Sequence, residues 1–370
     1  MDFNLSQEQK QFADSLRRWA EKDYAFEARN KIIHSNTGTS SEVWEKLVEL
    51  GVTALPVPEA QGGFSGSAVD MMVVMQEMGR ALLVEPYFAT VMGARFLRLA
   101  GGRETLLEKV AAGELKLASA LYEVQSRYDL ADIKTTAVKG PSCYILNGAK
   151  SVVVHGGQAE MLLVSALLDN EPALFLVRAD ARGVLVRDYR AIDGQRAADI
   201  DFHEVEVDTG NLLGRGLDLI EAGVDYGIAL LCAEAVGAMD ALNAATLEYL
   251  KTRQQFGVPI GKFQALQHRM ADMMIHAEQA RSMATLVAVH VDSANATWRM
   301  RYASAAKARI GQAARFIGQQ AVQLHGGMGV TDELPASHYF KRLTMIELSL
   351  GDTDHHLARF ASLPGFRQGE

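Results

Sequence analysis

This chain is short of the groups that most simply announce a chemistry. It has two cysteines in 370 residues, Cys143 and Cys232, without metal-ligand spacing. Two such thiols read as small buried hydrophobes of a protein kept in a reducing compartment. It lacks a basic balance: 37 Lys and Arg stand against 45 Asp and Glu, a formal net charge of −8 and a sequence pI of about 5.7. That argues against nucleic acid and anionic membrane surfaces as partners. It lacks a long apolar run. The longest, residues 228–239, is interrupted by Glu234 and falls short of the roughly 20 residues a bilayer span needs. No Gly-x-Gly-x-x-Gly follows a strand and no strand–helix–strand alternation appears, which excludes a Rossmann domain as nucleotide holder. Repeats, low-complexity tracts and linker-like segments are missing too. The first ten residues are acidic and amphipathic, unlike a signal peptide, so a soluble cytoplasmic protein is the expectation.

What is present is globular material: 48% hydrophobic and 22% charged residues, in a chain long enough for two or three cores. Ser6 with Gln9 forms a capping-box pattern before a helix carrying Phe12, Leu16 and Trp19. Ser40 and Ser41 precede a second helix with Val43, Leu47 and Leu50, closed by Gly51. Residues 55–66, with Pro58, Glu59, Gly62 and Gly63, have loop composition. A Met-rich helix through Met71, Val74, Met75 and Met78 to Arg80 reads as core filler, and helical patterning runs on to about Leu117. The pattern then changes to short aliphatic and β-branched segments over 116–124, 132–138, 142–146, 151–154, 161–168, 173–177, 184–186 and 200–207. Asn147-Gly148, Gly156-Gly157 and Asp193-Gly194 punctuate them as turns. Such a series predicts a small barrel or sandwich. From about Leu217 the helical period returns and holds to the end.

Two stretches in this last part carry chemistry. The first is Arg253-Gln-Gln-Phe256-Gly257-Val-Pro-Ile-Gly-Lys-Phe263-Gln264, between two amphipathic patterns: Ile228, Leu231, Ala235, Met239 and Leu242 before it, Phe263, Leu266, Met270, Met273 and Ala277 after it. Phe-Gly followed by Val-Pro is turn chemistry. An Arg at the break can cap or face solvent, or offer a fork of donors to a carboxylate or phosphate. The second is Gln323-Leu-His325-Gly326-Gly327-Met328-Gly329, after a helix marked by Ile310, Ala313, Ala314, Ile317, Ala321 and Leu324. Its glycines suit a helix cap and turn, or close backbone approach to an anionic ligand.

Arg-x-x-Phe-Gly-x-x-x-x-x-x-Gln, preceded by Val236-Gly237-Ala-Met-Asp-Ala-Leu, resembles the acyl-CoA dehydrogenase family. So do Gln-x-x-Gly-Gly-x-Gly followed by Pro335, and the helix, Pro-Glu-x-x-Gly-Gly loop, helix order with Glu77 and Arg80. The likeness covers essentially the whole chain. It implies a mainly α fold with a central β-barrel domain: a helical N-terminal domain over 1–117, a β-barrel over 118–215 and a C-terminal four-helix bundle over 216–370. It implies FAD-dependent α,β-desaturation of an acyl-CoA thioester, with an electron-transfer flavoprotein as the usual acceptor. In the family the Arg253, Phe256 and Gln264 turn reaches across a dimer interface to the diphosphate and adenosine end of the neighbour's FAD. Gln323, Gly326 and Gly327 match residues that contact the adenosine half, again on the partner.

The contacts a family member makes to its own flavin are altered here. Thr-Glu-Pro-x-x-Gly-Ser-Asp, then Ile-Lys-Thr-Thr-Ala, corresponds to Tyr122-Glu123-Val124-Gln125-Ser126-Arg127-Tyr128-Asp129, then Ile133-Lys134-Thr135-Thr136-Ala137. Arg127 and Tyr128 stand where glycine and serine approach the flavin phosphates; they fill that space, or Arg127 itself takes a phosphate. Lys-x-Trp-Ile-Thr/Ser-Asn-Gly corresponds to Lys150-Ser151-Val152-Val153-Val154-His155-Gly156. The ring-covering aromatic is Val152, and the hydroxyl that bonds flavin N5 is Val154, which donates nothing. The family's base, in a Glu-Gly-Thr triplet, corresponds to Leu350-Gly351-Asp352, and its other known place falls near Gly227. Leu and Gly take no proton. Asp352, Asp354, Asp225 and Glu347 remain as displaced candidates; Asp225 matches a substrate-contacting Asp whose companion Arg is here Ile228.

Three accounts follow from the resemblance. The favoured one is a subunit of a heteromeric enzyme, of the kind that acts on steroid side chains or dicarboxylic acids, with the small subunit of a pimeloyl-CoA-type dehydrogenase as the nearest description. The alternatives are a self-sufficient homo-oligomer with a displaced base, and a non-redox CoA-binding or structural homologue.

Overall fold

The computed structural model describes residues 5–364; residues 1–4 and 365–370, the ends of the expected first and last domains, lie outside them. Six helices come first: α1 (Gln7–Asp23), α2 (Phe26–Ile33), α3 (Ser41–Glu49), α4 (Ala68–Ala81), α5 (Tyr87–Ala100) and α6 (Glu104–Ala111). Eight strands follow: β1 (Leu117–Ala120), β2 (Thr136–Lys139), β3 (Cys143–Val154), β4 (Met161–Leu168), β5 (Glu171–Arg178), β6 (Val184–Arg190), β7 (Arg196–Asp208) and β8 (Leu212–Arg215). Then come α7 (Leu217–Thr252), a hairpin of β9 (Gln254–Gln255) and β10 (Val258–Pro259), α8 (Gln264–His290), α9 (Ala296–His325), α10 (Pro335–Leu348) and α11 (Thr353–Ser362). The order is helices, sheet, helices: the three-part acyl-CoA dehydrogenase fold that the resemblance implied.

Two compact units result, one of Met1–Asn30, Ala68–Leu83 and Ile228–Glu370, the other of Lys31–Ser67 and Val84–Gly227. In the first, Ser6 and Gln9 cap α1 reciprocally: Ser6 Oγ accepts from the Gln9 N–H at 3.1 Å and Gln9 Oε1 from the Ser6 N–H at 2.9 Å. α1 packs on α4 with Leu16 and Trp19 buried. α4 crosses α7 backbone to backbone. A Cβ on Gly237 would lie 1.7 Å from the Gln76 carbonyl oxygen, and one on Gly79 1.9 Å from that of Glu234, so only glycine permits the approach. α8, α10 and α11 all pack on α9. Arg342 of α10 forks onto Glu234 of α7 at 2.5 and 2.8 Å, both side chains buried. The helix also corrects the reading of the apolar run. By length and composition α7 as a whole is long and apolar enough to cross a membrane, but 78% of its most apolar window is buried in the chain, as in a core helix.

In the second unit the strand order is β6-β7-β3-β2-β4-β5-β8, with β1 parallel to β4. β2 also pairs parallel with β4, and the remaining neighbours are antiparallel. One face of β1 to β5 and β7 closes over a single core that includes Leu146, Val153, Leu162, Val164, Phe175, Ile200 and Phe202. Two expected segments, 142–146 and 151–154, are one strand. Asn147-Gly148 resembles a hairpin turn in sequence, but it lies at a register break inside β3, where a Cβ on Gly148 would come within 2.5 Å of Thr135 Oγ1. A bulge glycine and a turn glycine look alike in sequence. β8, short and carrying Gly214, gave no strand pattern.

Candidate functional site

The Arg253 and Gln323 stretches come together at the ends of α7 and α9. The Tyr249 ring lies over His325 with centroids 4.5 Å apart, and its hydroxyl donates to the His325 carbonyl at 3.3 Å. One turn beyond Tyr249 the chain leaves α7 and makes a two-residue hairpin, with Val258 opposite Gln255. Both turn residues have positive φ, Phe256 at 55° and Gly257 at 76°, the type I′ geometry. Glycine adopts it freely; a Phe there is strained by about 1 kcal/mol. Phe256 is 90% exposed and its ring makes an edge-to-face approach to Phe263 at 6.0 Å. The Ile260 N–H bonds the Arg253 carbonyl at 2.8 Å and closes the hairpin. Arg269 of α8 bonds Gln320 of α9 at 3.1 Å, a second tie.

The functional ends of this cluster are unused among the described residues. Arg253, Gln264, Gln323, Gly326 and Gly327 are all exposed. Among the described residues Arg253 has no carboxylate in ion-pair range, and neither glutamine amide makes a hydrogen bond. Cβ atoms on Gly326 and Gly327 would meet nothing within 4 Å. Gly326 has φ 60° and caps α9. A guanidinium, two amides and open peptide groups fit a phosphorylated, hydroxyl-bearing ligand that comes from outside this chain.

The other expected face, in the second unit, is different. Arg127 has φ 47° and is exposed, its guanidinium 5.4 Å from the centre of the Tyr128 ring. β3 breaks register between Lys150 and Val153. Val152 sits in that break at φ 53°, a marked outlier for a β-branched residue, with its N–H on Asp199 Oδ1 at 3.1 Å. Its side chain is 56% exposed. His155 also has positive φ, 55°, and is buried with Nε2 2.8 Å from Gln195 Oε1. The face therefore offers two alkyl groups and an Arg–Tyr stack, with no hydroxyl at 154. These residues do not fit a flavin ring that needs a donor at N5.

The third expected place is the loop after α10. Leu350 has φ 56° and Gly351 φ 110°. Buried Lys307 reaches in from α9 and donates to the carbonyls of Glu347 at 2.9 Å and Gly351 at 2.5 Å. Burial pushes its ammonium down to about 8, with Cys232, Glu347 and Asp352 pulling the other way. His356 Nε2 lies 3.0 Å from the Leu350 carbonyl; burial, then the charge of Lys307, lowers its pKa to about 2. The ring is neutral and donates from Nε2. Three of the four displaced-base candidates are occupied or enclosed. Glu347 is buried and accepts from Arg315 at 3.0 Å and the Thr353 hydroxyl at 3.1 Å. Asp352 caps α11 through the His355 N–H at 2.8 Å. Asp225 is fully buried, and Asp354 is exposed.

The sequence reading missed Tyr249, Lys307 and His356. Lys307 had a signal: it interrupts the Ala303, Ala306, Ile310, Ala314 stripe of α9, and a lysine on an apolar face needs a partner. Tyr249 had none, since its role depends on a contact across 76 residues.

Comparison with known proteins agrees with this architecture throughout. The acyl-CoA dehydrogenase N-terminal domain matches residues 6–114, the middle domain 118–209 and the C-terminal domain 214–362. The probable acyl-CoA dehydrogenase YngJ of Bacillus subtilis is 28% identical over 96% of this chain and 97% of its own length. Among solved structures, a variant of the Tcur3481-Tcur3483 steroid ACAD superposes with a TM-score of 0.89 at 27% identity, covering 96% of this chain and 97% of that one. Butyryl-CoA dehydrogenase from Megasphaera elsdenii gives 0.89 at 25%, covering 98% and 99%. With all three domains matched in order along nearly its full length, this chain belongs to the acyl-CoA dehydrogenase family of oxidoreductases acting on CH–CH groups.

Proposed function

We propose that this chain is one subunit of a heteromeric acyl-CoA dehydrogenase and completes the FAD site of a partner subunit. Arg253 binds the diphosphate, Phe256 packs on the ligand, and Gln264, Gln323, Gly326 and Gly327 take the adenosine end. The partner supplies the flavin-ring contacts and the carboxylate that removes the proton α to the thioester; bound FAD supplies the acceptor for the β hydride. The observation that carries this reading is the contrast between the two faces. One is exposed, chemically matched to the nucleotide and unused by the described residues, while the other has lost its donor, its aromatic and its glycine at once. A steroid ACAD named for two components, similar to this chain along its length, supports a heteromeric assembly. A dicarboxylic acyl-CoA of the pimeloyl kind is the proposed substrate, and an electron-transfer flavoprotein the proposed acceptor.

The test is flavin stoichiometry by absorbance, on the chain purified alone and then with a co-expressed dehydrogenase subunit from its own genome. Little flavin alone and about one FAD per pair is the expected result. About one FAD per chain alone, bleached by an acyl-CoA, would establish a self-sufficient enzyme and turn attention to Asp225. For the acyl chain, a reconstituted complex that oxidises straight-chain acyl-CoAs and leaves pimeloyl-CoA untouched would sink that part.

A further inference from the structure

In the second unit the chain leaves β1, loops out and returns as β2, and one buried carboxylate fixes its course from inside. Glu123 Oε1 accepts from Lys150 Nζ at 2.8 Å, the Thr135 N–H at 3.0 Å and the Thr135 hydroxyl at 2.7 Å. Oε2 accepts from the Lys134 N–H and from Gln125 Nε2, both at 2.8 Å. Lys150 Nζ also donates to Ser165 Oγ at 2.9 Å, and that hydroxyl donates to the Leu121 carbonyl at 3.1 Å. The side chains of the pair are buried. Burial works against the Glu123 charge, but Lys150, Gln125 and the Thr135 N–H outweigh it and bring the carboxyl down to about 2. Burial pushes Lys150 down to about 8, against the pull of Glu123. Both are charged at neutral pH.

Two features separate this node from a pair that only adds stability. The strand expected from residue 132 begins at Thr136, because the Lys134 and Thr135 N–H groups point at Glu123 instead of a neighbouring strand. And strained backbone follows it on both segments: Arg127 at φ 47° lies four residues after Glu123, and Val152 at φ 53° two residues after Lys150. The Ser151 N–H bonds the Tyr122 carbonyl at 2.9 Å, so the two segments are also joined backbone to backbone beside the ion pair.

We propose that Glu123 and Lys150 are positioning residues, whose ion pair holds the segments bearing Arg127 and Val152 in shape. This does not rest on the subunit reading; it applies whichever chain holds the cofactor. A merely stabilising buried pair tolerates replacement by apolar residues of similar volume, often without loss. A positioning pair does not, because the Lys134 and Thr135 N–H groups lose their acceptor.

Amide hydrogen exchange on the full-length chain, resolved at Lys134 and Thr135, tests this. In Glu123→Leu/Lys150→Met both amides are expected to exchange about tenfold faster or more, and so is the Val152 amide, which bonds Asp199 Oδ1 in the shaped segment, while the rest of the sheet keeps its protection. Glu123→Gln gives a second readout, should the double variant fail to fold. Glutamine keeps one oxygen; turned to Lys150 and Thr135, it sets its NH2 against the Lys134 N–H. Loss of protection at Lys134 with Thr135 retained is the expected pattern. Wild-type protection of the Val152 amide in a folded double variant, or of both Lys134 and Thr135 in Glu123→Gln, overturns the proposal.

Discussion

The joined ends of α7 and α9 and the 122–155 face of the sheet make an instructive pair. Both hold residues in the left-handed region: Phe256 and Gly326 in one, Arg127, Val152 and His155 in the other. Each such non-glycine residue is strained by about 1 kcal/mol or more and persists only because its surroundings dictate it. By backbone alone, both regions look like functional sites. They differ in what the side chains can do. At the helix ends Arg253, Gln264 and Gln323 are exposed and make no side-chain bond among the described residues. On the sheet face the corresponding places carry Val152, Val154 and an Arg127–Tyr128 stack. Strain marks where a scaffold shapes its backbone, and only the side-chain inventory says whether chemistry goes with it.

The sharpest way to break the comparison is Arg253→Ala in the reconstituted complex. On the proposed reading it removes a charge-assisted contact worth about 1.5–3 kcal/mol, so flavin should bind roughly 10- to 150-fold more weakly. Arg253 has no side-chain partner among the described residues, so the thermal melt should barely move. Flavin titration of the apo-complex gives the affinity. An unchanged affinity would leave the helix ends with no better claim to a ligand than the sheet face.

That contrast was legible in the sequence to an unusual extent, because its terms are residue identities at fixed spacing: Arg253, Gln264 and the glycines on one side, Val152, Val154 and Leu350 on the other. The helices were legible through their period and the Ser6 and Ser40 caps. What escaped depends on distant contacts. The bulge at Gly148 looked like a turn because its cause, the close approach of Thr135, lies thirteen residues away. The start of β2 was misplaced because Glu123 takes the N–H groups of Lys134 and Thr135. The loop at Leu350 was seen as a lost base, and nothing in the sequence said that Lys307 and His356 hold its carbonyls.

Smaller effects sharpen the comparison from the side of strain. Phe256→Gly and Val152→Gly each release about 1–2 kcal/mol of left-handed strain, offset by about 0.5–1 kcal/mol of glycine backbone entropy. Denaturant unfolding should place both variants within about 1 kcal/mol of the parent. Their functions should part: flavin occupancy of the complex falls in Phe256→Gly and holds in Val152→Gly. Equal losses in the two would mean that both faces of this chain touch cofactor.

The smallest expected effect is a null, and it tests the sheet face most directly. Leu350→Glu restores a carboxylate at the family's place for the base. Glu replaces Leu at φ 56° with little change in backbone strain, and the clamps of Lys307 on Gly351 and His356 on Leu350 act on carbonyl groups, so the loop keeps its shape. A base alone is still insufficient, since the 154 position offers no donor and Arg127 with Tyr128 fills the space of a glycine and a serine. Assayed with acyl-CoA and an artificial electron acceptor, the isolated variant should show no turnover above the parent. Appreciable dehydrogenation from this single change would mean that Val154 and the Arg127–Tyr128 stack leave a working flavin face, and that the helix ends and the sheet face differ in appearance only.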